Sequence, residues 1–288
     1  LPGEEEPLGT KTLSPDEIAA GAATIEGLTA STQYEVALFY ASANRGAVSV
    51  WTLPDMTGLT TVATSAALQQ AILDGASIYL KMEGSPYTIS SDPTDFAKGL
   101  DVTKGFKVYG EGGADGNGPV IYGDINITDA FDGGDIYFES VTLDGQGKCG
   151  FIIQHKEGST TDGVAIGSIK YKNCVITNFT KGLFYEWAKT VILGELSFES
   201  CDITLINEDG IVGGDGVDLR YESVIDKISF NDCTIANGFR TFFRNYPQTT
   251  GSPAATIKEL VFTNNTVSNL CAVNSTNNAG LFAFTEVP

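Results

Sequence analysis

Four segments of this chain set aromatic rings beside charges at strand-like spacing: GLFYEW (182–187), GVDLRY (216–221), RTFFR (240–244) and GLFAF (280–284). In an extended strand successive side chains point to opposite faces. With GFIIQ (150–154) before them, one side then carries Ile152 and Gln154, Phe184 and Glu186, Asp218 and Arg220, Phe242 and Arg244, and finally Phe282 and Phe284, with Trp187 and Tyr221 one residue further on. The other side, expected to face inward, carries Phe151 and Ile153, Leu183 and Tyr185, Val217 and Leu219, and Thr241 and Phe243. Flat rings stack on pyranose faces, and an arginine fork holds carboxylate or sulfate groups through two parallel hydrogen bonds. The expected substrate-binding strip is therefore Phe184, Glu186, Trp187, Asp218, Arg220, Tyr221, Phe242 and Arg244. The competing reading places these aromatics beneath long insertions and pairs Glu186 with Arg220 across neighbouring strands.

The same residues carry the catalytic alternative. Eliminating across a uronate needs its carboxylate neutralised and a base at the reacting carbon. Arg220, Arg244 and Asp218 are the residue types for such a lyase, with Arg240 nearby. Ca²⁺ enters only under this alternative, and Asp215 and Asp218 are the sole acidic residues grouped there; no metal site is expected otherwise. No carboxylate pair of a glycosidase stands out. The one histidine, His155, is expected to be an ordinary surface residue beside a loop.

A recurring phrase shows which elements must position these residues. It reads apolar, any, aromatic, any, polar, Cys or Val, any, apolar: IYFESVTL (136–143), IKYKNCVI (169–176), LSFESCDI (196–203) and ISFNDCTI (228–235). LVFTNNTV (260–267) keeps the frame, and looser copies begin at Ile78 and Phe106. A spacing of roughly 30 residues marks a repeat architecture whose units bury their apolar faces against their neighbours. Alternation predicts an inward column of Leu80, Val108, Phe138, Tyr171, Phe198, Phe230 and Phe262. Turns fall at Ser140, Asn173, Ser200, Asp232 and Asn264. A second bend falls at Gly145, Asn178, Leu205, Asn237 and Asn269, mostly residues that tolerate a left-handed backbone. Cys174, Cys201 and Cys233 share one slot, so they are read as stacked core thiols rather than metal ligands. Cys149 and Cys271 would pair only if the fold joined them. The column Glu139, Lys172 and Glu199 alternates in sign and is read as surface electrostatics.

Residues 1–54 differ from the rest. Ser14 is a suitable N-cap and Pro15 a suitable first residue for a short helix. Three strand-like runs follow, ATIEGL, YEVALFYA and AVSVWTL. The spacing Leu28-x5-Tyr34 resembles the tyrosine corner of fibronectin type III modules, of which only the C-terminal part would be present. Thr64 or Ser65 then opens a helix with Leu68, Ile72 and Leu73 on one side, placed to cap a coil.

The phrase, the Asn turn column and the stacked aromatics and cysteines resemble the pectate lyase-like superfamily across about residues 65–288. The resemblance implies an all-β fold: a single-stranded right-handed parallel β-helix over 55–288, with an N-terminal capping helix and a partial fibronectin-like β-sandwich (1–54) before it. That pairing is similar to a group of gut-bacterial surface proteins, many of them lipid-anchored. Departures matter as well. The superfamily's R-x-P-x-x-R phrase is unmatched, since Arg240-x-x-x-Arg244 has other spacing and no Pro, and the N-T-D, D-D, G-H-G, R-x-K series of related glycosidases is missing.

Bulk composition narrows the partners. With 36 acidic and 17 basic residues the formal charge is −19, which disfavours nucleic acid and anionic membrane surfaces. No run approaches the ~20 apolar residues of a membrane span. The expected role is recognition of an acidic or plant-type polysaccharide, outside the cell or on a bacterial surface. A uronate lyase and an adhesin-like spacer are the alternatives. Oligomeric state is left open by the sequence.

Overall fold

The computed structural model describes residues 7–52, 54–92, 95, 98–112, 118–155, 163–186, 190–204, 215–219, 223–238, 241–245, 255–270 and 280–284, with backbone alone for 51, 238 and 280–284. The chain divides into two compact units, Leu1–Asp55 and Met56–Pro288.

In the first unit, helix α1 (Pro15–Ala20) starts as its residues dictate. Ser14 Oγ accepts from the Glu17 amide at 3.2 Å, and Glu17 Oε2 accepts from the Ser14 amide at 2.9 Å. This reciprocal capping box satisfies two amides that the first turn leaves unpaired. Strands Gln33–Tyr40 and Ala43–Trp51 form an antiparallel hairpin, with a bulge at Leu38/Phe39. The run ATIEGL is not a strand. The Thr29 amide donates to Tyr34 Oη at 2.9 Å, the backward bond that characterises a tyrosine corner.

The second unit is a parallel β-solenoid. Its first sheet has eight strands, from Thr60–Val62 to Thr256–Thr263, and its second and third sheets have seven each. All pairing within these sheets is parallel and follows chain order, so the chain visits the three sheets in turn and returns one rung further on. Helix α2 (Ser65–Asp74) begins at Thr64, whose hydroxyl accepts from the Ala67 amide. It buries Leu68, Ala71 and Ile72 against the first rungs.

The inward column of the first sheet is Ile78, Val108, Phe138, Tyr171, Phe198, Phe230 and Phe262. Ile78, not Leu80, opens it; the two-residue shift preserves the face because side chains repeat every two residues. Rung spacing lets the rings lie flat on one another. Tyr171 and Phe198 are 4.7 Å apart and 11° from coplanar, and Phe198 and Phe230 are 4.5 Å apart and 5° from coplanar. Cys174, Cys201 and Cys233 are buried, and each Sγ lies 3.3 Å from the carbonyl two residues before it (Lys172, Glu199 and Asn231) and 3.5 Å from the carbonyl of the preceding rung's aromatic (Phe138, Tyr171 and Phe198). Cys149 is another buried thiol, while Cys271 lies outside the described residues.

Both predicted bends form. Ser140, Asn173, Ser200, Asp232 and Asn264 all have φ between 51° and 56°. At the second bend Asn178, Asn237 and Asn269 are also left-handed, and Gln146 with Gly147 takes that role in the rung of Gly145. Asn269 Nδ2 donates to Asn237 Oδ1 at 2.7 Å and Asn178 Nδ2 to Asp144 Oδ1 at 2.9 Å. Such side chains satisfy one another rung by rung. Leu205 lies outside the described residues. Among the described residues, no helix is long and apolar enough to cross a membrane.

Candidate functional site on the third sheet

The third sheet carries the predicted strip, but its register differs from simple alignment of the sequence segments. Phe151 pairs with Gly182 and Ile153 with Phe184, one residue away from matching GFIIQ to GLFYE. Asp215 pairs with Thr241 and Asp218 with Arg244, two residues away from matching GVDLR to RTFFR. A one-residue slip exchanges the faces of a strand. Phe184 is consequently buried in the core, in register with Ile153, Val217 and Phe243.

Alternation also breaks within these strands. Ile152 and Ile153, Leu183 and Phe184, and Phe242 and Phe243 are consecutive pairs that all belong to the core cluster. Phe242 lies edge-on to Phe230 at 5.0 Å and to Phe262 at 5.9 Å, completing the axial ring stack. Phe184 and Phe242 are therefore core residues rather than solvent-facing sugar platforms. Burying two rings in the core outweighs regular alternation, since each such side chain contributes roughly 1.5–3 kcal/mol on burial.

A different set of side chains lies along this sheet away from the core cluster. Phe151, expected to face inward, is buried yet stands outside the cluster, and its ring stacks on Tyr185 of the next rung at 4.6 Å and 7°. Gly182 makes this possible, because a Cβ there would stand 2.8 Å from Phe151 Cε1. Two rungs further along, the same diagonal relation holds an ion pair. Arg244 Nη1 lies 2.8 Å from Asp215 Oδ2, with the Asp215 side chain fully buried and that of Arg244 24% exposed. Toward the N-terminus the partly exposed column continues as a polar ladder. Gln154 Nε2 donates to Asn126 Oδ1 at 2.8 Å, and Asn126 Nδ2 donates to Asp101 Oδ1 at 3.1 Å. In register order that column is Asp101, Asn126, Gln154, Tyr185, Asp218, Arg244 and Ala283, with Asp218 buried.

Of the predicted strip, Asp218 and Arg244 are adjacent rung neighbours. Glu186 is fully buried just beyond Tyr185, its amide donating to the Asp218 carbonyl at 3.2 Å. Arg220, Trp187 and Tyr221 lie outside the described residues, as does Arg240. Arg244 is committed to Asp215; guanidinium stays protonated at any ordinary pH, so its chemistry here is charge pairing. Among the described residues, no three His, Cys, Asp or Glu groups converge in the manner of a metal centre. On the first sheet, Glu139, Lys172 and Glu199 are in register as expected. Lys172 Nζ reaches Glu199 at 4.0 Å, and Glu139 accepts from Tyr137 Oη at 2.6 Å.

Sequence reading placed Gln154 outward as found, but it set Phe151 and Tyr185 inward and missed the Asp215–Arg244 pair and the ladder from Gln154 to Asn126 and Asp101. The available signal was Gly182, a residue without a side chain opposite an aromatic ring. No family model matches this chain, and neither a curated protein nor a solved structure matches it.

Proposed function

We propose that the protein recognises a polysaccharide lying along the third sheet, parallel to the solenoid axis. The supporting observation is the in-register column of Asn126, Gln154, Tyr185 and Arg244, partly exposed polar or aromatic side chains with buried Asp218 on the rung between Tyr185 and Arg244. Rungs repeat at about 4.8 Å, comparable to the rise of a sugar ring in an extended chain. Amide tips meet hydroxyl groups, Tyr185 offers a ring braced by Phe151, and Arg244 marks a charged step with its partner Asp215. A solenoid of this kind, preceded by a unit with a tyrosine corner as in fibronectin-type modules, suits display outside the cell or on a bacterial surface, with a lipid anchor as one means of attachment.

The test is glycan-array binding followed by calorimetry with Tyr185→Ala and Gln154→Ala, both at partly exposed positions. Loss of a stacking ring is expected to weaken binding about tenfold or more, by analogy with base stacking worth roughly 1–3 kcal/mol. Unchanged affinity in both variants, with circular dichroism intact, would remove the strip. The uronate lyase alternative predicts ultraviolet-absorbing unsaturated products from pectins, alginate or glycosaminoglycans, and Arg244, tied to Asp215, is a poor proton acceptor for it.

A further inference from the structure

The only histidine of the chain lies at a place that its sequence neighbourhood does not reveal. His155 ends the strand Phe151–His155, and its side chain is completely buried. Nε2 lies 3.2 Å from Asp129 Oδ1, whereas Nδ1 has no hydrogen-bond partner among the described residues. The preceding rung places Ile127 and then Val102 in register with it, both apolar. On the following rung Gln154 pairs with Tyr185, which sets buried Glu186 beside His155. The charged group in contact with the imidazole is Asp129, from the segment after strand Ile125–Ile127, while Glu186 follows strand Gly182–Tyr185 at the next register position of the neighbouring rung.

We propose that His155 is an acid-sensitive pin that holds strand Phe151–His155 to strand Ile125–Ile127 while neutral and releases it once protonated. In the neutral ring, one N–H donates to Asp129 and the second nitrogen carries only a lone pair. A proton taken from solvent converts Nδ1 into a buried donor without a hydrogen-bond partner among the described residues, and brings a full charge into a site shielded from water. Asp129 offsets part of this. Burial nevertheless dominates and holds the imidazole below its usual 6.5, with Asp129 pulling the other way.

The sign follows from linkage. The unfolded chain binds this proton more readily than the folded one, so the contribution to stability is complete above pH 6.5 and is lost as pH falls below it. Gln154 and Asn126, neighbours of the pin on the same two strands, carry the outer polar ladder, so loosening reaches that face. One other group titrates nearby with the opposite sign. Asp124, just before strand Ile125–Ile127, is pushed up to about 7 by burial, and its Oδ1 has no partner among the described residues. Its penalty is present above that value and disappears in acid, so an Asp124→Asn background isolates the histidine.

The experiment combines proton NMR titration of the single imidazole with amide exchange in residues 125–127 and 151–155, measured at roughly pH 7 and pH 5 and corrected for intrinsic exchange. Expected are an imidazole midpoint below 6.5 and about tenfold faster corrected exchange in acid. In Asp124→Asn the acceleration persists. In His155→Gln, which retains a donor for Asp129 but cannot take the proton, it is abolished. A midpoint at or above 6.5, or an unchanged acid response in His155→Gln, overturns the proposal. Should that variant fail to fold, the wild-type imidazole midpoint decides alone.

Discussion

Tyr171 stands where neighbouring rungs place Phe138, Phe198 and Phe230, and its ring stacks as theirs do. What distinguishes it is a hydroxyl that is fully buried and lacks a hydrogen-bond partner among the described residues. Folding strips that hydroxyl of water without replacing the lost bond, a penalty of about 1–3 kcal/mol. Tyr171→Phe keeps the stack and removes the penalty, so it is expected to stabilise the solenoid by roughly 1 kcal/mol, read as an increased urea midpoint with unchanged slope. A decrease would mean that the hydroxyl has a role the geometry does not display. Residue chemistry of this kind was only half legible beforehand. The cysteine slot was correctly read as core, because three thiols recur at one phase. His155 was misjudged, because burial depends on which rung lies beside it.

At the scale of strands, the repeat frame was written in the chain while the third sheet's register was not. The phrase around Phe138, Tyr171, Phe198 and Phe230 recurs with fixed internal spacing, and the turn residues Ser140, Asn173, Ser200, Asp232 and Asn264 punctuate it. The third-sheet strands follow connections of unequal length, so similar-looking segments align by their glycines and mislead by one or two residues. Strict alternation then failed where Phe242 and Phe243 both turn into the core. Gly182 carries the consequence. A methyl group there would meet the Asp215 carbonyl oxygen at 2.1 Å as well as the Phe151 ring. Gly182→Ala is expected to destabilise by about 2–3 kcal/mol, since overpacked sites relieve strain only by shifting backbone. The same variant should part the Phe151–Tyr185 stack, visible as changed near-ultraviolet dichroism. A neutral substitution would show that the strands can separate locally at little cost.

Over the whole molecule, a formal charge of −19 surrounds the proposed binding face, where Arg244 is already paired with Asp215. A polyanionic glycan approaches such a surface against long-range repulsion, and salt screens that repulsion with a Debye length of about 10 Å at 0.1 M. For a uronate polymer the association rate should therefore rise several-fold between roughly 0.02 and 0.2 M salt, and for a neutral polymer it should stay flat. Stopped-flow or surface-plasmon kinetics across that range separate the two. A rate that falls with salt would show that the glycan reaches a cationic surface instead.

The slot shared by Cys174, Cys201 and Cys233 passes at the next rung to Asn265, whose Nδ2 donates to the Phe230 carbonyl at 2.8 Å. Thiol and amide here share one neighbour, the carbonyl of the aromatic one turn back, which each Sγ meets at 3.5 Å while a carbonyl of its own rung lies at 3.3 Å. Substitution tables rank cysteine and asparagine as strangers, yet at this address they are synonyms. Kinship among such coils would consequently survive in hydrogen-bond grammar after residue identity has drifted away, and a search that scores donors by phase would hear it.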